Sequence, residues 1–266
     1  MRDLLNRVLL VSGIILFLSS CQFISNKDET NQFGQLQLSF SHDVIMDTFL
    51  YINEAANPYL VSEIQYFISD VKLYLDNGDI VLLDKIEDIH YIDTDLPETF
   101  VYSLEDSIPL GKYIKISFTF GINEEKNKDM LFVNPPESFM FWPKYLGGGF
   151  HYMKLNGKWH NPEEETKVFN FHLGIGQLYD DNRNIESYVQ NFKEVYLDNS
   201  GVEIKNKQIT DVSIKMNVDK WFSGPNTFDF NLIGGKIMQN QDAMNMACEN
   251  VNDVFTLENI VIRDLP

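Results

Sequence analysis

The sequence predicts an all-β protein: an antiparallel β-sandwich with short helices in its connections and near the C-terminus. Three observations carry that expectation. Apolar residues recur at every second position in several stretches, as in Ile114, Ile116, Phe118 and Phe120 alternating with Lys115, Ser117 and Thr119. Turn residues separate these stretches at short, roughly even intervals, as two packed sheets of short strands require. Only residues 240–254 carry a sustained helical stripe, with Met244, Ala247, Cys248 and Val251 on one face. The chain has no repeat of 20 to 50 residues and no low-complexity block.

Residues 1–20 read as a leader rather than as part of the fold. Arg2 and Arg7 form a positive start, and residues 8–18 form an apolar run too short to span a bilayer. The run ends Leu18-Ser19-Ser20-Cys21, which resembles a bacterial lipobox, so Cys21 is the expected lipidation site. The alternative is an ordinary secretory signal with an incidental cysteine. Residues 21–34 read as a polar tether and 35–266 as one domain. The expected place is the outer membrane, on its periplasmic or cell-surface face, held by the N-terminal lipid.

Along the domain, Leu36, Leu38 and Phe40 alternate with polar residues, and His42 sits just past that strand's end. Residues 48–52 suggest a short second strand. In 64–75 the apolar frame switches parity at Ser69-Asp70, which a β-bulge would produce. Asp76-Asn77-Gly78-Asp79 then turns the chain into 80–83. Residues 89–92 read as a short strand with His90. Residues 103–113, with Pro109 and Gly111, read as a connector, and 121–130 as a polar loop with one helical turn. Asn134-Pro135-Pro136 breaks structure ahead of 138–159, the most locally specified stretch of the chain. There Trp142-Pro143 forces an extended or turning backbone, and Gly147, Gly148 and Gly149 permit positive φ. Residues 150–155 read as a strand with His151, Met153 and Leu155 on one face and Phe150, Tyr152 and Lys154 on the other. Residues 168–173 form another, with Asn170 and His172 opposite Phe169, Phe171 and Leu173. Residues 212–218 alternate cleanly, 227–232 suggest an extended piece, and the tail from Phe255 is apolar enough to dock.

Charge and cysteine content narrow the function. The formal net charge is −18, and removing Arg2, Arg7 and Asp3 with the leader makes it −19. Such acidity argues against nucleic acid and anionic lipid surfaces as partners. With Cys21 lipidated, Cys248 has no disulfide partner and is expected as a buried small hydrophobe.

No catalytic arrangement is visible. None of the five histidines belongs to a His-Glu-x-x-His helix or a close His-x-His pair, and there is no nucleophile elbow or phosphate loop. The chain is therefore expected not to be an enzyme. His151 and His172 are the pair of interest. Their strands are joined by a short charged excursion, so antiparallel pairing would bring them within cross-strand reach. Neutral imidazoles suit copper or zinc, and Met153 or an aromatic could complete a soft site. Two ordinary strand histidines is the competing reading. Coordination needs the neutral ring, so affinity is expected to fall as pH drops below about 6.5.

The order of these pieces resembles the methanobactin-partner (MbnP-like) family of bacterial secreted proteins and lipoproteins. The resemblance rests on Leu36-Gln37-Leu38-Ser39-Phe40-Ser41-His42 and Tyr66-Phe67-Ile68-Ser69-Asp70-Val71-Lys72-Leu73. It continues through 114–121, Met140-Phe141-Trp142-Pro143, 147–155, Phe171-His172-Leu173-Gly174 and Val218-Asp219-Lys220-Trp221-Phe222. It implies a β-sandwich and copper binding outside the cytoplasm. Carried onto this chain, it points to His151 and His172, with His42 as a third ligand and Trp142 as the aromatic candidate. Some members use a tryptophan oxidised to kynurenine by a di-haem partner enzyme. Here Trp142 is followed by Pro143-Lys144, and no Trp-x-His occurs. A di-haem peroxidase-like protein or an outer-membrane receptor are the implied protein partners.

Two functions follow: a copper carrier, sensor or scavenger without turnover, or a non-metal surface module for a glycan, peptide or partner lipoprotein. The 12 Tyr, 20 Phe and 3 Trp could supply an aromatic platform for the second, although aromatics usually fill sandwich cores.

Overall fold

The period-two pattern of the sequence becomes two facing sheets. The computed structural model describes residues 33–83 and 88–265, the side chains of 105–107 excepted. The leader, Cys21 and nearly all of the tether lie outside the described residues. In chain order the strands are β1 (Phe33–His42), β2 (Tyr51–Ile52), β3 (Pro58–Tyr74), β4 (Ile80–Leu82), β5 (His90–Asp93), β6 (Val101–Pro109), β7 (Gly111–Tyr113) and β8 (Lys115–Phe120). Then come β9 (Met153–His160), β10 (Thr166–Leu173), β11 (Gly176–Tyr179), β12 (Ile185–Val189), β13 (Lys193–Leu197), β14 (Val202–Ile204), β15 (Gln208–Met216) and β16 (Phe255–Asp264).

One large sheet has the order β16-β15-β1-β6; the other has β10-β9-β3-β8-β13, with β2, β4 and β5 also paired to β3, and β11-β12 and β14-β7 form two small two-stranded sheets. Leu36, Leu38 and Phe40 of β1 and Val212, Ile214 and Met216 of β15 are buried, as alternation predicts. They meet the buried face of β3 and β8. Phe40 packs edge-on against Tyr66 and Phe118 at 6.3 and 6.2 Å, which ties the two sheets together. Most of the aromatic residues are core, as expected for such an interior. The β1–β15 pair is parallel, so the sandwich is mixed rather than wholly antiparallel. A parallel pair needs a crossover, and the chain between β1 and β15, which carries the second sheet, supplies it.

The parity switch at Ser69-Asp70 is a bulge: the β3–β8 register shifts between Ser69 and Lys72, and Asp70 takes φ +50°. That conformation is held by charge. The Asp70 carboxylate accepts from Lys126 Nζ at 2.7 Å and Asn123 Nδ2 at 2.9 Å, and Lys126 also donates to the buried Asp88 at 2.9 Å. Burial works against ionised Asp70, but Lys126 and Asn123 bring its pKa below the ordinary value.

Residues 103–113 are not a connector; they complete β6 and form β7. Pro109 misled because it ends β6, an edge strand where a missing N–H costs no ladder bond. Residues 121–130 contain turns but no helix. The expected extended piece at 227–232 is instead a short helix, α1 (Phe230–Ile233), started by Asp229, whose side chain accepts from the Asn231 amide at 2.8 Å. The predicted C-terminal helix is present as α2 (Gln241–Val254), capped by Asn240, with Cys248 buried.

Candidate metal centre

The site is assembled by the loop between β8 and β9. Gly147, Gly148 and Gly149 have φ of +121°, +72° and +74°, which L side chains rarely adopt. Asp129 accepts from the Gly149 amide at 2.7 Å, and Asn127 accepts from the Phe150 amide at 2.8 Å. A Cβ on Gly149 would lie 2.5 Å from Asn127 Oδ1. The returning chain bonds to its own approach: Trp142 N donates to Gly149 O, and His151 N donates to Met140 O, each at 2.7 Å.

This closure corrects the expected strand. β9 begins at Met153, not at residue 150, so His151 lies in the bend before it. Met153 and Leu155 pack in the core. His172 is registered opposite Lys154 on the other, outer face of the sheet. Strict alternation would have sent His151 inward with Met153. The bend instead sets its ring 5.3 Å from the His172 ring, edge to face at 84°. The two histidines do meet, through a break in the strand rather than through its register.

Each ring is fixed by one nitrogen. His151 Nδ1 lies 2.9 Å from the Met140 carbonyl oxygen and must therefore donate. Asn156 Nδ2 donates to Glu63 Oε2 at 2.7 Å, which turns its Oδ1 toward His172 Nε2 at 2.8 Å. That nitrogen is then the His172 donor. The Phe141 backbone also acts as a hydrogen-bonding neighbour of the His151 ring. Met140, Asn156 and Glu63 were not singled out from the sequence. Asn156 could have been, since it shares a strand face with Lys154, two residues away.

The pair is electrically neutral by construction. Burial, then the neighbouring His172 and Lys154, lower the His151 pKa to about 3; burial and Lys154 lower that of His172 to about 4. Trp142 forms a wall. It is buried, stands edge to face against His151 at 4.7 Å, and donates from Nε1 to Leu146 O at 3.1 Å. A Cβ on Gly174 would lie 2.5 Å from its ring, so that glycine admits the indole. Trp142 is thus a packing residue at the edge of the pocket.

Two other expected residues are not brought here. Met153 is fully buried on the core face. His42 also lies on the core side, where its ring packs against Tyr66 at 5.8 Å and Phe100 at 5.2 Å. Tyr66 is the register partner of Met153, so the sheet itself separates His42 from His172. Among the described residues no group of three or more His, Cys, Asp or Glu side chains is placed to hold a metal. Around the loop, Phe139, Phe141, Tyr145, Met130 and Val133 are exposed. Part of this apolar rim lines a cavity of about 560 Å³ together with Trp142 and Phe150.

Two neutral imidazoles are a donor type that copper and zinc accept. The rings here lie 5.3 Å apart, edge to face.

This chain is a β-sandwich protein that keeps two neutral histidines together at a sheet surface. The family model MbnP matches residues 33–245, and the chain belongs to that family. A solved structure, MbnP from Methylosinus trichosporium, is similar over 68% of this chain and 75% of that one, with 13% identity and a TM-score of 0.43. No curated protein matches.

Proposed function

We propose that this protein binds copper through His151 Nε2 and His172 Nδ1 and acts as a carrier, sensor or scavenger without turnover. The observation that carries the reading is the paired rings, 5.3 Å apart, each with one nitrogen tied to an oxygen acceptor. Anchoring of the second nitrogen orients an imidazole and raises its basicity as a ligand. Low pKa values keep both lone pairs available at neutral pH. Membership of the MbnP family, whose resemblance implied copper, supports the choice of ion over zinc. The leader and Cys21 support a lipid anchor outside the cytoplasm, at the outer membrane. The exposed rim around the loop supports exchange of the ion with a partner protein, for which a di-haem peroxidase-like protein or an outer-membrane receptor remain the classes implied.

The test is titration of the folded protein with Cu(I) and Cu(II), repeated for His151→Ala and His172→Ala, with His42→Phe and Met153→Leu as controls. Loss of binding in the first two and retention in the controls is expected. Equal binding by all the forms would sink the site.

A further inference from the structure

The histidine pair has a fixed cation beside it. Lys154 is the register partner of His172 on the outer face of the sheet. Its Nζ donates to Phe139 O at 2.6 Å, one residue before the carbonyl that holds His151. The ammonium is therefore pinned between the strand that carries one imidazole and the loop that carries the other. That places the charge on the same outer face as His172 and next to the loop residue that holds His151. Glu63 and Asp93 are the acidic groups that face Lys154, and both are engaged elsewhere. Glu63 accepts from Asn156, while Asp93 accepts from Tyr91 Oη at 2.7 Å and Gln65 Nε2 at 3.0 Å.

We infer that Lys154 is a specificity-determining residue, which selects a monovalent copper ion over divalent ions by charge. The inference rests on the reading that the pair binds metal. Two neutral nitrogens leave the full charge of the ion uncompensated, and no carboxylate or thiolate joins them among the described residues. A fixed positive charge repels a divalent ion twice as strongly as a monovalent one at the same place. Divalent copper and zinc also want more donors than this pair supplies. Lys154 supplies no ligand atom; its charge acts through space.

The experiment compares Cu(I), Cu(II) and Zn(II) affinities of the full chain with those of Lys154→Met, Lys154→Gln and Lys154→Arg, each checked for folding by circular dichroism. Wild type is expected to bind Cu(I) tightly and Zn(II) weakly. Removing the charge should raise affinity for Cu(II) and Zn(II) on the order of tenfold more than for Cu(I). By the cycle linking binding to oxidation, a tenfold change in the Cu(II)/Cu(I) ratio lowers the one-electron potential of the bound ion by about 59 mV. Lys154→Arg should restore both the ratio and the potential, which a merely structural role would not do. Failure of wild type to bind any of the three ions refutes the histidine-pair reading itself. Cu(I) binding with unchanged selectivity in the folded neutral variants, or comparable Zn(II) and Cu(I) affinity in wild type, overturns the role of Lys154 alone.

Discussion

Copper binding should be nearly insensitive to acid down to pH 5. The perturbation is pH itself, and the magnitude follows from the two imidazoles. With the ordinary pKa of about 6.5, each ring at pH 5 would be protonated about 30-fold over its neutral form, and the pair would lose about 1,000-fold in affinity. In the fold the values are about 3 for His151 and about 4 for His172. At pH 5 both rings then remain at least about 90% neutral, so the protein's share of the affinity should stay within about twofold of its value at pH 7. The pair holds because protonation would place a second charge in a half-closed pocket already facing Lys154. The assay is competition against a chromophoric chelator whose own protonation is calibrated, at pH 7, 6 and 5. A fall near 1,000-fold would show the rings behaving as free histidines, and the argument from burial would be wrong.

Three further outcomes test other parts of the structure. The folded pKa values of His42, His151 and His172 lie below the unfolded value, so protons favour the unfolded chain. The metal-free protein should therefore be most stable above about pH 6.5 and lose roughly 1.4 kcal/mol per pH unit for each of these groups as pH falls toward about 4, read from urea midpoints. Asn156→Leu should leave the fold intact but weaken copper binding by about 10–100-fold, because His172 loses the acceptor that fixes its tautomer; an unchanged affinity would mean that the Glu63–Asn156 bond does not orient the ring. Lys126→Met should cost about 3–5 kcal/mol in chemical denaturation, since the largely buried Asp70 would lose the ammonium that pairs it. A loss under 1 kcal/mol would place that cluster among ordinary surface ion pairs.

The candidate site was legible in part. His151 and His172 could be paired from the sequence because a short charged excursion between two strands makes them neighbours. The reason they meet could not be read. Periodicity assumes an unbroken strand, and it put His151 with Met153; three left-handed glycines and the return bonds to Met140 and Trp142 break the strand one residue short of Met153. His42 was selected from its place near a strand end, but which sheet face it occupies depends on how the two sheets close. Met140 and Asn156 carried no signal by type: a carbonyl and an amide become tautomer locks only when placed.

The sequence by itself determined the β class, the alternation of β1, β8, β10 and β15, the bulge at Ser69-Asp70, the hairpin at Asn77-Gly78 and the helix α2. These are local consequences of side-chain periodicity and turn chemistry, each contained within a few residues. The parallel pairing of β1 with β15 was decided only in three dimensions, because it joins segments separated by most of the chain. So too were the strand character of 101–113, the turn of His151 to the outer face and the pinning of Lys154 beside it. These depend on which surfaces meet when the sheets pack, and no window of the sequence contains both partners.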